Sequence, residues 1–78
     1  MEVLCFGIAK EITNTASLDL RDGEINSVAE LKAHLLSQYP AFKDYFDFRI
    51  AVNQEFASED QVLQGNEEIA IIPPVSGG

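Results

Sequence analysis

Two glycines stand at the end of this chain, and their residue type suits chemistry that needs a slender terminus. The last six residues are Pro73-Pro74-Val75-Ser76-Gly77-Gly78. Glycine has no Cβ, so this backbone can enter a channel that a side chain would block. The carboxylate of Gly78 sits on an unhindered CH2, where another enzyme could activate it. The sequence therefore predicts a terminus that is inserted into a partner protein and modified.

The proline pair Pro73-Pro74 marks the point where this terminus leaves the folded part. Proline donates no N–H and is not expected inside a central strand. Six extended residues reach roughly 20 Å at ~3.3–3.6 Å per residue. We therefore expect one domain over residues 1–72 and an extended tail over residues 73–78.

The size and charge of the chain narrow its class. It has 78 residues, 46% of them hydrophobic, which is enough for one small core. Thirteen acidic residues against five basic ones give a formal charge of −8. That charge repels nucleic acid. It either steers a basic protein partner toward the chain or only keeps a small protein in solution.

Several other classes are disfavoured by the sequence. No apolar run approaches the ~18 residues of a membrane span. Met1 leads directly into a strand pattern without a basic, apolar leader, and one cysteine cannot form an intrachain disulfide. No Cys/His cluster has metal-ligand spacing. We expect a cytoplasmic protein that binds neither membranes nor metals.

The hydrophobic pattern predicts an α+β domain. Residues 3–8 are apolar on both alternating faces, as in a central strand, and so is the strand over residues 67–72 from Ile69 to Ile72. Residues 15–20 alternate as in a half-exposed strand. Residues 7–11 break the first pattern into a loop or turn. Further strands are expected over residues 48–53 and 55–57, with turns at Asp22-Gly23, Asn53-Gln54 and residues 64–66.

One main helix is expected between the second and third strands. Ser27 and Glu30 form a capping-box pattern, and Pro40 closes the helix. The apolar residues at helical spacing are Val28, Leu31, Leu35, Leu36 and Tyr39. A mixed sheet of four to five strands would wrap this helix, with the first and last strands parallel if adjacent. Phe42, Tyr45 and Phe46 would cover one end of the core.

Three segments, together with helix placement and length, resemble a known family. They are Phe6-Gly7-Ile8-Ala9-Lys10-Glu11-Ile12, Ala51-Val52-Asn53-Gln54 and the ending from Glu67 to Gly78. The order of elements resembles the β-grasp fold of ubiquitin, and the segments resemble the small subunits of molybdopterin synthase. Departures are small: Asn66-Glu67-Glu68 stands where relatives commonly have Gly-Asp-Glu, and Lys10 where many have arginine.

The resemblance implies a sulfur carrier that is not catalytic alone. An activating enzyme would adenylate Gly78 with ATP, and a persulfide sulfur would replace the adenylate to give a thiocarboxylate. The tail would then enter a large catalytic subunit and donate sulfur to a pterin precursor of the molybdenum cofactor. No cofactor would be bound permanently. The family implies a heterotetramer with two carriers on a large-subunit dimer.

The resemblance also assigns roles by position. Gly77 would keep the backbone slim inside the channel, and the segment 73–76 would contact the partner's groove; its members are Pro73, Pro74, Val75 and Ser76. Apolar residues exposed on the sheet would dock the partner. The candidates for this contact are Phe6 and Phe48, and Lys10 is a further candidate for the partner interface.

Other interpretations stay open. The chain could carry sulfur for thiamine thiazole or tRNA thiolation, although the proline pair favours the molybdopterin pathway. It could be a ubiquitin-like modifier, although modifiers commonly carry arginine shortly before Gly-Gly, or an inert scaffold. We expect Cys5 to be a buried hydrophobic residue and His34 to be structural. Ser76 has no recognisable general base and is rejected as a nucleophile.

Overall fold

The computed structural model describes residues 1–20, 25–45 and 48–72. The strands in this part are β1 (Glu2–Cys5), β2 (Ser17–Asp19), β3 (Arg49–Val52), β4 (Glu55–Phe56) and β5 (Glu68–Ile72). The helices are α1 (Ile8–Thr13), α2 (Val28–Gln38) and a 3₁₀ helix (Pro40–Tyr45). The predicted turn at Asp22-Gly23, Phe46 and the tail of residues 73–78 lie outside the described residues.

The five strands form one mixed sheet in the order β2-β1-β5-β3-β4. β1 is parallel to β5, with Val3 opposite Ile69, while the β1–β2, β5–β3 and β3–β4 pairs are antiparallel. β1 and β5 therefore lie in the interior of the sheet. This confirms the prediction that the first and last strands are central; they are adjacent, and they are parallel as expected for that case. The α+β class, with a mixed sheet and one main helix, is confirmed as well.

The core lies between one face of this sheet and α2. Val28, Leu31 and Leu35 of α2 are buried in the same cluster as the inner-face residues of the strands. Those strand residues are Val3, Cys5, Ile50, Val52, Ile69 and Ile71. The 3₁₀ helix adds the buried Phe42, as expected for this connection. The domain thus has an inner face packed on α2 and an outer face on the other side.

The start of α2 follows the predicted capping pattern with one difference. The Glu30 N–H donates to Ser27 Oγ at 3.2 Å, as in a capping box. The Glu30 carboxylate, however, accepts the N–H of Asn26 at 2.9 Å instead of that of Ser27. The helix ends at Gln38, and Pro40 begins the 3₁₀ helix, so the predicted stop is confirmed.

The predicted loop over residues 7–11 is wrong, because this segment forms α1 (Ile8–Thr13). Gly7 precedes α1 at φ 54° and ψ −127°, a conformation that glycine adopts without a Cβ clash. Ala9 is buried, and Thr13 Oγ1 donates back to the Ala9 carbonyl at 3.0 Å. Six residues are too few for helical periodicity to stand out, and core contacts stabilise the turn instead.

The predicted turn at Asn53-Gln54 is confirmed, and the chain bends at Gly65 within the turn predicted over residues 64–66. Asn53 and Gln54 both have positive φ, 52° and 71°, as a two-residue hairpin between β3 and β4 requires. Near β5, the Glu67 carboxylate accepts the N–H groups of Gln64 at 2.7 Å and Gly65 at 2.9 Å. Burial raises the pKa of Glu67, but these backbone hydrogen bonds outweigh it and hold the pKa below its ordinary value.

Candidate functional site

An open apolar cleft occupies the outer face of the sheet. Its volume is about 390 Å³, and polar residues Gln54 and Glu68 lie at its edge. The apolar lining comes from four strands and the residue after β1: Leu4, Phe6, Ala51, Phe56, Ala70 and Ile72. The phenyl rings are unusually open to solvent, because Phe6 is 50% exposed and Phe56 is 60% exposed. Exposed apolar groups gathered in this way mark a surface for binding another molecule.

The strand registers explain why this face is apolar. Leu4 of β1 pairs with Ala70 of β5, and Ala70 pairs with Ala51 of β3. Ala51 in turn lies opposite Phe56 of β4. Because side chains alternate along each strand, the neighbours of these residues point to the core instead. One continuous apolar stripe therefore crosses the outer face from Leu4 through Ala70 and Ala51 to Phe56.

The cleft lies beside the start of the tail. Ile72 lines the cleft, ends β5 and directly precedes Pro73. Phe6 follows the end of β1, which is parallel to β5, so both residues stand at the same end of the sheet. A protein that covers the cleft would therefore lie within reach of Gly78, given the span of roughly 20 Å for six extended residues.

Charges at the two ends of the outer face differ in sign. At the tail end, Arg49 lies opposite Ile72, and its guanidinium carbon is 4.5 Å from the centre of the Phe56 ring. At the other end, Glu2 lies opposite both Asp19 and Glu68. Adjacent carboxylates on neighbouring strands repel one another. A partner with basic groups at this end would relieve that repulsion.

The structure places the predicted docking residues in different environments. Phe6 lies in the cleft, whereas the candidate Phe48 is only 2% exposed and does not line it, so the structure does not support Phe48 as a docking residue. Its ring lies 5.0 Å from that of Phe42, and Lys32 Nζ lies 5.3 Å from its centre. Lys10 is exposed on α1 but does not line the cleft. The predicted sites from Pro73 to Gly78 lie outside the described residues and stay predictions.

The remaining candidate side chains agree with structural roles. Cys5 is buried in the core, which confirms its interpretation as a small hydrophobic residue. His34 is half-buried on α2. Within the described ranges, no group of three or more metal-ligating side chains comes together, and no helix is long and apolar enough to cross a membrane.

Of the residues that line the cleft, the sequence predicted only Phe6 as part of a docking surface. The other apolar residues were placed on strands but were not assigned to a surface; they are Leu4, Ala51, Phe56, Ala70 and Ile72. The available signal was that β1 and β5 are apolar on both faces, while a single predicted helix can cover only one of them.

Comparisons with known proteins show which family the sequence of this chain matches. The ThiS family model matches residues 3–78. The molybdopterin synthase sulfur carrier subunit of Dictyostelium discoideum is 40% identical over 85 residues, covering 99% of this chain and 94% of that relative. The human molybdopterin synthase sulfur carrier subunit is 37% identical over 82 residues, covering 100% of this chain and 93% of the relative.

Two solved structures are similar as well. One is the small archaeal modifier protein 1 from Methanosarcina acetivorans, with 28% identity and a TM-score of 0.78, covering 99% of this chain and 94% of the other. The second is a chain in the complex of subunits 1 and 2 of molybdopterin-converting factor from Helicobacter pylori 26695, with 26% identity and a TM-score of 0.66, covering 99% and 96%. These likenesses agree with the ubiquitin-like β-grasp fold. The chain therefore belongs to the ThiS family and is homologous over its whole length to molybdopterin synthase sulfur carrier subunits.

Proposed function

We propose that this chain is the sulfur carrier subunit of a molybdopterin synthase. The observation that carries the proposal is the apolar cleft beside Ile72, the residue from which the Gly-Gly tail continues. A partner seated on the cleft holds the base of the tail while the thin terminus enters an active site. The binding surface and the reactive end are thereby coupled through only six residues.

The chemistry at Gly78 explains why a second protein must act first. A carboxylate is a poor acyl donor because its charge repels nucleophiles and its oxide leaves badly. An activating enzyme transfers AMP from ATP to the carboxylate and releases pyrophosphate. The terminal sulfur of a persulfide then attacks the acyl carbon and AMP leaves; a thiol cleaves the resulting S–S bond and frees the thiocarboxylate.

The loaded tail acts as a group carrier inside the large subunit. The sulfur of a thiocarboxylate is softer and less tightly hydrated than a carboxylate oxygen, so it is the better nucleophile. It attacks the pterin precursor and contributes to the dithiolene. The carrier supplies the group and its delivery, while the large subunit supplies the catalytic site. ATP is consumed by the activating partner, and no cofactor stays on this chain.

The cleft is the proposed docking face for the large subunit. Phe6 and Phe56 would fill pockets of the partner, as aromatic anchors do at interfaces. The complex of subunits 1 and 2 from Helicobacter pylori supports an assembly of this kind. The heterotetramer with two carriers on a large-subunit dimer is part of the proposal.

Reconstitution tests the proposal directly. The thiocarboxylated chain is mixed with the large subunit and the pterin precursor, and formation of the dithiolene is followed by mass spectrometry. We expect product in proportion to carrier, and none with a chain that lacks Gly77-Gly78. Dithiolene formation that is unaffected by this truncation would exclude the proposal.

A protein modifier is the second candidate. The likeness to the small archaeal modifier protein 1 from Methanosarcina acetivorans supports it. A modifier would form isopeptide bonds between Gly78 and lysine side chains, so proteolysis of cellular protein would release lysine peptides bearing the C-terminal residues of this chain. A sulfur carrier restricted to the synthase would yield no such peptides. A carrier for another thiolation pathway would be loaded in the same way but would not form dithiolene with the large subunit.

A further inference from the structure

Arg49 stands at the tail end of the cleft in an arrangement that suits contact with a second protein. It is exposed on β3, directly opposite Ile72 of β5. Its guanidinium carbon lies 4.5 Å from the centre of the Phe56 ring. Among the carboxylates of residues 1–20, 25–45 and 48–72, none lies within 4.0 Å of this guanidinium; the ion pairs there join Met1 to Asp19 and Lys32 to Glu59.

Stacking on Phe56 orders this guanidinium without using its hydrogen-bond donors. A planar guanidinium that lies over a ring keeps its N–H groups at its edge, where they match the two oxygens of a carboxylate. The stacking also limits the rotamers that a flexible side chain would lose on binding, which lowers the entropic cost of a new contact. Arginine and aromatic residues are the types most often found at the energetic centres of interfaces.

The charges around the cleft determine which partner group fits here. The chain has a formal charge of −8, and Glu2, Asp19 and Glu68 form the acidic end of the outer face. A partner drawn by these acids presents a mainly basic surface. Opposite Arg49 that same surface needs a carboxylate, because a basic group there would face a like charge. Because Arg49 and the acidic end carry opposite charges, a partner with matching charges is attracted in one orientation and repelled in the reverse one.

We infer that Arg49 determines the specificity and orientation of docking by pairing with a carboxylate of the large subunit, while its stacking on Phe56 holds it in position. This inference rests on the proposed function, because it names the chemistry of the partner at the proposed docking face. Orientation matters since Arg49 lies beside Ile72, and a rotated carrier would direct its tail away from the partner's active site.

Binding measurements with matched charge variants test the inference. The dissociation constant for the large subunit is measured by calorimetry for the wild-type chain and for Arg49→Glu, Arg49→Gln and Arg49→Lys. Lys43→Glu is the control, because Lys43 is exposed on the 3₁₀ helix, which packs on the inner side, and the net charge changes equally. Urea unfolding of each variant verifies that the fold is intact.

We expect Arg49→Gln to weaken binding about 10- to 100-fold, because it removes the charged, two-pronged hydrogen bonding of the guanidinium to the carboxylate. Arg49→Glu should weaken it further, and Arg49→Lys should fall between the wild type and Arg49→Gln because it keeps the charge but loses the planar fork. Lys43→Glu should stay within about threefold, as a remote charge does. A second arm reverses each acidic residue of the large subunit's contact surface to lysine, and one of these changes should restore binding of Arg49→Glu.

The possible failures are distinguishable. If the wild-type chain binds the large subunit and Arg49→Glu binds it equally well, the inference is wrong and the proposed function stands. If Arg49→Glu and Lys43→Glu weaken binding equally, only the overall charge of the chain matters, and the inference is wrong as well. If the wild-type chain does not bind the large subunit at all, the proposed function and this inference fail together.

Discussion

Asn53 and Glu68 are joined by hydrogen bonds in both directions. The Asn53 N–H donates to the Glu68 carbonyl at 2.8 Å, and the Glu68 N–H donates to Asn53 Oδ1 at 3.0 Å. The β3–β4 turn is thereby tied to the first residue of β5, the strand that leads to the tail. This contact gives a physical reason for asparagine in the Ala51-Val52-Asn53-Gln54 segment.

Substitutions at Asn53 separate two contributions to stability: the hydrogen bond that its side chain accepts and the positive φ of its backbone. Asn53→Gly keeps a residue that accepts positive φ but loses the side-chain acceptor, so we expect a loss of about 1 kcal/mol in the free energy of unfolding. Asn53→Ala loses the acceptor and also places a Cβ at φ 52°, which costs about 1–2 kcal/mol more. Urea unfolding at neutral pH measures both. Equal stability of the two variants would show that the turn conformation carries no strain.

The two faces of the sheet should respond differently to loss of a phenyl ring. Phe48 is in the core, so Phe48→Ala should destabilise the domain by about 3–5 kcal/mol and Phe48→Leu by less than about 1.5 kcal/mol. Phe56→Ala should change stability by less than about 1 kcal/mol, because the ring is mostly exposed.

Binding should show the reverse order. Phe56→Ala should weaken binding to the large subunit about 10-fold or more, whereas the folded Phe48→Leu variant should bind like the wild type. Unfolding curves and calorimetric titrations of the same samples make the comparison. A Phe56→Ala variant with unchanged affinity would remove the cleft from the docking face.

Glu67 should make stability depend on pH in the acid range. Its folded pKa is lower than the ordinary value of 4.5, so lowering the pH protonates the unfolded chain first and stability decreases. The contribution is fully present above the ordinary pKa and is lost as the pH falls through the folded pKa. Glu67→Gln should be less stable at neutral pH and lose less on acidification.

Urea unfolding midpoints, determined at about every pH unit between roughly pH 2 and pH 7, measure this dependence. Glu11→Gln is the control, because Glu11 is exposed on α1 and accepts no hydrogen bond from the described residues. Parallel pH profiles of Glu67→Gln and the wild type would show that the hydrogen bonds from Gln64 and Gly65 do not lower the pKa.

Cys5 should be dispensable for sulfur loading. It is buried, and its Sγ lies 3.7 Å from the Val3 carbonyl, so a persulfide donor cannot reach it in the folded domain. Cys5→Ala should still accept sulfur at the terminus after incubation with the activating enzyme, ATP and the donor. Loss of loading in a Cys5→Ala variant that is folded by circular dichroism would assign the thiol a direct role.

The sequence predicted the sheet interior and α2 because those segments carry strong patterns. β1 and β5 are apolar at nearly every position, and Ser27 and Pro40 bound the helix. α1 was missed because its position depends on the core contact of Ala9, which leaves little periodicity in six residues.

The cleft was predicted only in part, because alternation groups residues by face without saying which face a helix covers. Phe48 alternates with Ile50 and Val52, and the core turned out to lie on their side. Phe56 belongs to the opposite face through its pairing with Ala51, a register that only the folded sheet defines. The stacking of Arg49 on Phe56 follows from the same register.

The decisive measurement for sulfur loading at Gly78 is the mass of the intact chain after incubation with its activating enzyme, ATP and a persulfide donor. We expect an increase equal to the exchange of one oxygen for sulfur, located in the C-terminal peptide that contains Gly78. The same treatment should leave a chain without Gly78 unchanged. An unchanged mass of the wild-type chain, or a sulfur located at Cys5 instead of Gly78, would contradict this expectation.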